Sequence, residues 1–127
     1  MSLAELPFLQ ALQPCQRILL AGAGGGFDVV AGLPLYEYLV AQGKQVFLAS
    51  LSFSDLAKAS GRWVGASKRI LEVKAGAGGE DHYFPERYLS EWFATQGEDV
   101  PVYSFRTVGA TLLHQMYQEL VKELELD

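Results

Sequence analysis

The stretch from Arg17 to Asp28 constrains the fold more than any other part of the sequence. It consists of a short apolar run, Arg17–Ala21, followed by a glycine cluster and then by an acid. An apolar run of this length that ends in glycines is typical of a buried parallel strand that turns into a helix. Bare backbone N–H groups and the positive end of a helix dipole face outward at such a junction. The stretch therefore predicts a site for an anion, most often a phosphate.

The glycine cluster departs from the standard nucleotide motifs. In the dinucleotide motif G-x-G-x-x-G, Gly22 and Gly24 would be the first two glycines, but Phe27 occupies the third position. The acid that holds a ribose after the second strand is also absent, because that position is Ala49-Ser50. The lysine-containing phosphate loop is absent as well. What remains is a strand-to-helix turn of the general phosphate or nucleotide type.

Two interpretations of this turn stay open. The glycines either bind a ligand or only permit a tight turn. Consecutive glycines lose much conformational entropy on folding, and this cost favours the interpretation in which they bind a ligand. The acid either hydrogen-bonds the ligand or caps the helix. The predicted ligand-binding residues of this loop are Gly24, Gly25, Gly26, Phe27 and Asp28.

Apolar runs alternate with helix-like patterns along the rest of the chain. This alternation predicts an α/β fold, namely a three-layer, Rossmann-like open parallel sheet of about four strands with helices on both faces. One domain is expected to cover residues 1–127. The predicted strands are Arg17–Ala21, Gln45–Leu51, Ile70–Ala75 and Val100–Phe105. The predicted helices are a short amphipathic segment before Pro14, a helix over 28–42 that is kinked at Pro34 or becomes regular there, a short one ending at Ala59, and helices over 85–97 and 109–124.

Other loops are expected to join the same site. Ala75–Gly79 repeats the letters of Ala21–Gly25 after an apolar strand, and in a parallel sheet both loops would leave the carboxyl edge, where ligands collect. This adds Gly78 and Gly79 to the predicted site. Arg106 is predicted to face a phosphate, and Thr107 to lie beside it or to cap the last helix; a plain surface arginine is the alternative.

Composition excludes several classes of function. A net charge of −5 argues against a nucleic-acid partner, and no apolar run is long enough to span a membrane. The single cysteine, Cys15, fits a reducing cytoplasm. A metal site built from Glu80, Asp81 and His82 is disfavoured, because consecutive residues do not converge on one ion, and no metal is expected.

The chain resembles the uncharacterised proteins grouped as domain of unknown function 1152. The resemblance lies in the segments Ala21–Tyr36, Leu51–Ser54, Tyr83–Glu86 and Tyr103–Gly109. It implies a Rossmann-like fold and the N-terminal half of a longer architecture. It supplies no reaction, and the sequence does not decide whether the protein is an enzyme.

The sequence thus predicts a domain that binds a nucleotide or another phosphate-bearing small molecule. The cofactor is not identified, although a nucleotide fits the loop. One alternative is an assembly module that forms homo-oligomers through an exposed sheet edge. A weaker alternative is a metal-dependent hydrolase that uses Asp28 with the Glu80-Asp81-His82 cluster.

Overall fold

The computed structural model describes residues 6–22, 26–65, 67–77, 84–106 and 109–127, with the side chains of residues 26, 27 and 110 excepted. Within these ranges, helices accompany a single five-stranded sheet. The strands are β1 (Arg17–Gly22), β2 (Gln45–Ser52), β3 (Arg62–Val64), β4 (Ile70–Val73) and β5 (Val102–Arg106). The helices are α1 (Pro7–Leu12), α2 (Gly26–Ala31), α3 (Leu33–Ala41), α4 (Pro85–Thr95) and α5 (Ala110–Glu123), with a 3₁₀ turn at Leu56–Lys58.

The sheet is mixed, which corrects the prediction of an all-parallel sheet of about four strands. Its order is β1-β2-β5-β4-β3. The first three strands of this order are parallel, whereas β4 is antiparallel to β5 and β3 is antiparallel to β4. The β3 strand lies within Gly61–Lys68, a basic stretch whose sequence predicts irregular structure. Strand direction depends on pairing between residues distant in sequence, which the local pattern of β4 does not encode.

The predicted kinked helix is two helices. Helix α2 ends at Ala31, and α3 begins at Leu33 with Pro34 in its first turn. Proline is tolerated in a first turn because the N–H groups there have no partner within the helix. The interruption therefore lies at Gly32, and the alternative in which the regular helix starts at Pro34 was the better one.

Two hydrophobic clusters cover the sheet. Leu48 and Val102 pack with side chains of α2, α3 and α4, whereas their neighbours Ala49 and Tyr103 pack with α5. Successive side chains of a strand point to opposite faces, so helices cover both faces of the central strands. A third cluster around Leu71 lies beneath the segment that follows β2.

Helical spacing in the sequence predicts that Val40 and Trp92 lie on the core faces of their helices, but both are exposed. Val40 and Trp92 are each 44% exposed, while their neighbours Leu39 and Phe93 are buried. In α5 the helical spacing predicts a buried stripe of Leu113, Met116, Leu120 and Leu124. The last three of these residues are buried, whereas Leu113 is partly buried. Among the described residues, no helix has both the length and the apolar character of a membrane span.

Candidate functional site

The carboxyl ends of the three parallel strands lie side by side. Gly22 in β1 is opposite Ser50 in β2, and Ser50 is opposite Ser104 in β5. One step further along, Ser52 is opposite Arg106. Parallel strands are about 4.8 Å apart, so β1 and β5 are separated by about 10 Å at this edge. Ligands of open α/β sheets bind outside such carboxyl ends, and this edge is the candidate site.

Gly22 is a glycine because helix α2 packs directly on it. A Cβ atom at this position would lie 2.6 Å from the backbone nitrogen of Val29 and 3.1 Å from the Cβ of Asp28. The first glycine of the cluster therefore has a packing role. For this residue, the interpretation in which glycine only permits close packing at the turn is sufficient. No role in ligand binding is needed to explain it.

The remaining residues of the first glycine loop are described in part. Gly24 and Gly25 lie outside the described residues, and Gly26 and Phe27 form the start of α2. Asp28 is exposed in the first turn of α2. It borders a cavity of about 190 Å³ that is also lined by Leu20, Ala21, Val29, Gly32 and Leu35.

Glu86 brings a carboxyl group to the end of β2, a contact that no local sequence pattern predicts. It lies in the first turn of α4 and is 0% exposed. The hydroxyl of Ser50 donates to its Oε1 at 3.3 Å, and the hydroxyl of Ser52 forms a further hydrogen bond with it. No described residue hydrogen-bonds its Oε2. A segment distant in sequence thus supplies a buried carboxyl group at the end of β2.

The environment of Glu86 favours its protonated form. Burial raises the pKa of its carboxyl above the ordinary value, and hydrogen bonds from its own backbone N–H and from the hydroxyls of Ser52 and Ser50 oppose this only in part. Burial destabilises the charged form because the surroundings solvate a carboxylate poorly.

Arg87, the next residue, is buried by aromatic and backbone contacts. Its guanidinium lies 5.3 Å from the ring centroid of Phe84 and 5.0 Å from that of Tyr88. Its Nη1 donates to the carbonyl of Ala77 at 3.5 Å, and its Nε lies 3.5 Å from Oε1 of Glu91. These contacts tie the start of α4 to the segment after β4.

Arg106 ends β5 and borders an open depression of about 230 Å³. The rest of the depression is lined by residues 52–57, the segment that leaves the end of β2. The guanidinium of Arg106 lies 4.8 Å from the ring centroid of Trp63 in β3. Within the described part of the chain, its guanidinium has no carboxylate within salt-bridge distance. Arg106 is therefore an exposed cation that an aromatic ring holds at the edge.

The second glycine cluster does not follow a parallel strand. Because β4 is antiparallel to β5, the turn after it, at Ala75-Gly76, lies at the edge where β5 begins. This turn borders a separate cavity of about 230 Å³ beside Arg62, Glu72 and Lys74. The expectation that the strand before this cluster ends at the carboxyl edge was wrong.

Several predicted residues lie outside the described ranges, so their roles stay predictions. They are Gly78, Gly79, Glu80, Asp81, His82 and Thr107. In the ranges that are described, no three His, Cys, Asp or Glu side chains are grouped as a metal site would require.

Comparison of the chain with protein-family models, with curated proteins and with solved structures gives no match. The resemblance to domain of unknown function 1152 therefore stays a prediction.

Proposed function

We propose that this protein binds a small phosphate-bearing molecule, such as a nucleotide, at the carboxyl edge of its parallel strands. The observation that carries the proposal is the position of Arg106. Its guanidinium borders the depression beside residues 52–57, lies over Trp63, and has no carboxylate partner among the described residues. A Rossmann-like layering of the sheet and its helices is part of this proposal.

The chemistry of the arginine side chain supports a phosphate group as the ligand. A guanidinium presents a planar fork of N–H donors that matches phosphate oxygens. Contact with the Trp63 ring restricts the side chain before binding, so less conformational freedom is lost when a ligand arrives.

The first glycine loop is included in the proposed site because it follows β1 at the carboxyl edge of the sheet. Strand β1 ends at Gly22, opposite Ser50, so the loop that follows it starts about 10 Å from the end of β5. Gly24–Asp28 would then contact a part of the ligand distant from Arg106. Thr107 directly follows Arg106 and belongs to the same proposed site.

Charge removal at Arg106 tests the proposal. Binding of ribose 5-phosphate and inorganic phosphate is measured by calorimetry for the wild type, Arg106→Gln and Arg62→Gln. Arg62 is the matched control because it is an exposed strand arginine paired with Glu72 at 3.1 Å, outside the depression. We expect Arg106→Gln to weaken ribose 5-phosphate binding at least about tenfold, as for loss of a charged hydrogen bond. Binding that is equal in all three proteins would contradict the proposal.

Gly25→Val tests the glycine loop separately. If the loop contacts the ligand, this variant should weaken binding while its free energy of unfolding stays close to that of the wild type. Unchanged binding would remove the loop from the site and leave Arg106 in it.

An assembly module is the second candidate function, and the position of β1 favours it. Among the described residues, this six-residue strand has a neighbouring strand on one side only. On the other side the N–H of Asp127 donates to the carbonyl of Arg17, at the very start of the strand. A free strand edge can pair with another chain. Light scattering over a range of concentrations tests this, and a monomer at every concentration would contradict it.

A further inference from the structure

We infer that the ligand carries a planar aromatic ring together with its phosphate, and that this ring stacks on the exposed side chain of Phe53. The inference rests on the proposed function, because it assumes that the phosphate lies at Arg106. A nucleoside monophosphate is the simplest ligand that has both groups.

Phe53 is an exposed aromatic residue at a site bordered by a cation. It directly follows β2, is 57% exposed, and lines the same depression as Arg106. Single exposed hydrophobic side chains are common on protein surfaces and need no explanation by themselves. Phe53 differs because its neighbour across the depression is a guanidinium without a described carboxylate partner.

The two groups lie close enough for one small ligand to reach both. Arg106 is paired in register with Ser52, the residue before Phe53. The ring and the guanidinium thus originate from adjacent strands about 4.8 Å apart. The sugar of a nucleotide would bridge them, with the base on one side and the phosphate on the other.

The remaining charge in the depression does not cancel Arg106. The Oδ1 of Asp55 accepts a hydrogen bond from the backbone N–H of Ala57 at 3.2 Å, and its Oδ2 lies 3.9 Å from Nζ of Lys58. The carboxylate therefore caps the 3₁₀ turn and has its own cation nearby. The guanidinium stays available to an anion.

A comparison of ligands with and without the ring tests the inference. Calorimetry measures adenosine 5′-monophosphate and ribose 5-phosphate on the wild type, Phe53→Ala, Phe53→Trp and Phe8→Ala. Phe8 is the matched control because it is 55% exposed in α1 and does not line the depression. Base stacking on an aromatic side chain should make the nucleotide bind about 5- to 100-fold more tightly than the ringless ester. Phe53→Ala should abolish this ratio, whereas Phe53→Trp and Phe8→Ala should keep it.

The outcomes separate the inference from the proposed function. If ribose 5-phosphate binds through Arg106 but the nucleotide binds no more tightly, the inference is wrong and the proposed function stands. The same holds if the ratio survives in Phe53→Ala. If neither ligand shows binding that Arg106→Gln weakens, both are wrong. Equal free energies of unfolding in the wild type and the variants exclude loss of folding as the cause.

Discussion

The hydroxyl of Ser50 donates to Oε1 of Glu86 at 3.3 Å, and this bond joins the end of β2 to the first turn of α4. The two residues come from segments far apart in the sequence. Their contact places a buried carboxyl group beside Ser52, which also borders the depression at Arg106. The start of α4 is thereby fixed at the carboxyl edge of the sheet.

Glu86→Gln should change how stability depends on pH. The folded-state pKa of Glu86 is raised by burial above its ordinary value of 4.5, so the folded protein holds this proton more tightly than the unfolded chain does. The resulting stabilisation is fully present below about pH 4.5 and is lost as the pH rises through the folded pKa. The glutamine variant lacks this loss. Urea denaturation at several pH values measures the free energy of unfolding of both proteins. The value for the variant minus the value for the wild type should therefore increase between pH 4 and 7. A difference that stays constant with pH would contradict the raised pKa of Glu86.

Gly22→Ser should destabilise the protein by roughly 1–3 kcal/mol, because the new side chain would meet the backbone of α2. The added Cβ would lie 2.6 Å from the nitrogen of Val29, and backbone atoms cannot move aside as a flexible side chain can. Gly109→Ser is the matched control. That position is the N-cap of α5, and no heavy atom of the described residues lies within 4 Å of the added Cβ, so serine should be neutral or slightly stabilising there. Equal effects in urea denaturation would contradict the close approach.

Gly65→Ala should cost more stability than Gly43→Ala. Both glycines have a positive φ, +71° and +83° respectively, which by itself costs an alanine about 1 kcal/mol. No described residue lies within 4 Å of a Cβ added at Gly43, whereas a Cβ at Gly65 would overlap the carboxylate of Glu119. That carboxylate accepts a hydrogen bond from Ser67 at 2.8 Å, and displacing it should add about 1 kcal/mol. Urea denaturation gives the free energy of unfolding of each variant, and the difference between the two values measures the cost of displacing the Glu119 carboxylate. A difference near zero would contradict the close contact between Gly65 and Glu119.

Asp127→Asn should lower the free energy of unfolding at neutral pH and should lower it less at acidic pH. The Oδ2 of Asp127 accepts hydrogen bonds from the backbone N–H groups of Arg17 and Gln16, and these bonds lower the pKa of its carboxyl below the ordinary value of 3.8. Such a group stabilises the fold at pH values above 3.8, and this contribution is lost as the pH falls through the folded pKa. The difference in free energy of unfolding between variant and wild type should therefore shrink on acidification. A difference that does not depend on pH would show that the charge has no role.

Local patterns of the sequence were sufficient to place most elements. Strands β1, β2 and β5 and helices α4 and α5 lie close to their predicted positions, because apolar runs and helical periodicity are properties of neighbouring residues. The short β3 strand was missed, since Arg62–Val64 pairs with β4 and has no strong pattern of its own. Trp92 was placed on the core face of α4 but is exposed, because the packing of α4 against the sheet selected Phe93.

The candidate site was predictable only in part. Arg106 could be found because it directly follows an apolar strand, and strand ends are where ligands of open sheets bind. The position of Glu86 could not be predicted, because nothing near it in sequence indicates that α4 begins beside Ser50 and Ser52. The acidic first turn after Pro85 was the only signal, and it predicted a helix start and nothing more.

The sequence by itself determined that this is an α/β chain with a glycine-rich segment after its first strand, because those features are encoded within a few residues of each other. Only the tertiary structure decided the direction of β4, and with it which loops meet at the carboxyl edge. It also decided that a buried carboxyl group lies at the end of β2 and that Phe53 and Arg106 share one depression. The physical reason is that strand pairing and helix docking join distant residues through side-chain packing and backbone hydrogen bonds, which local hydrophobic periodicity does not specify.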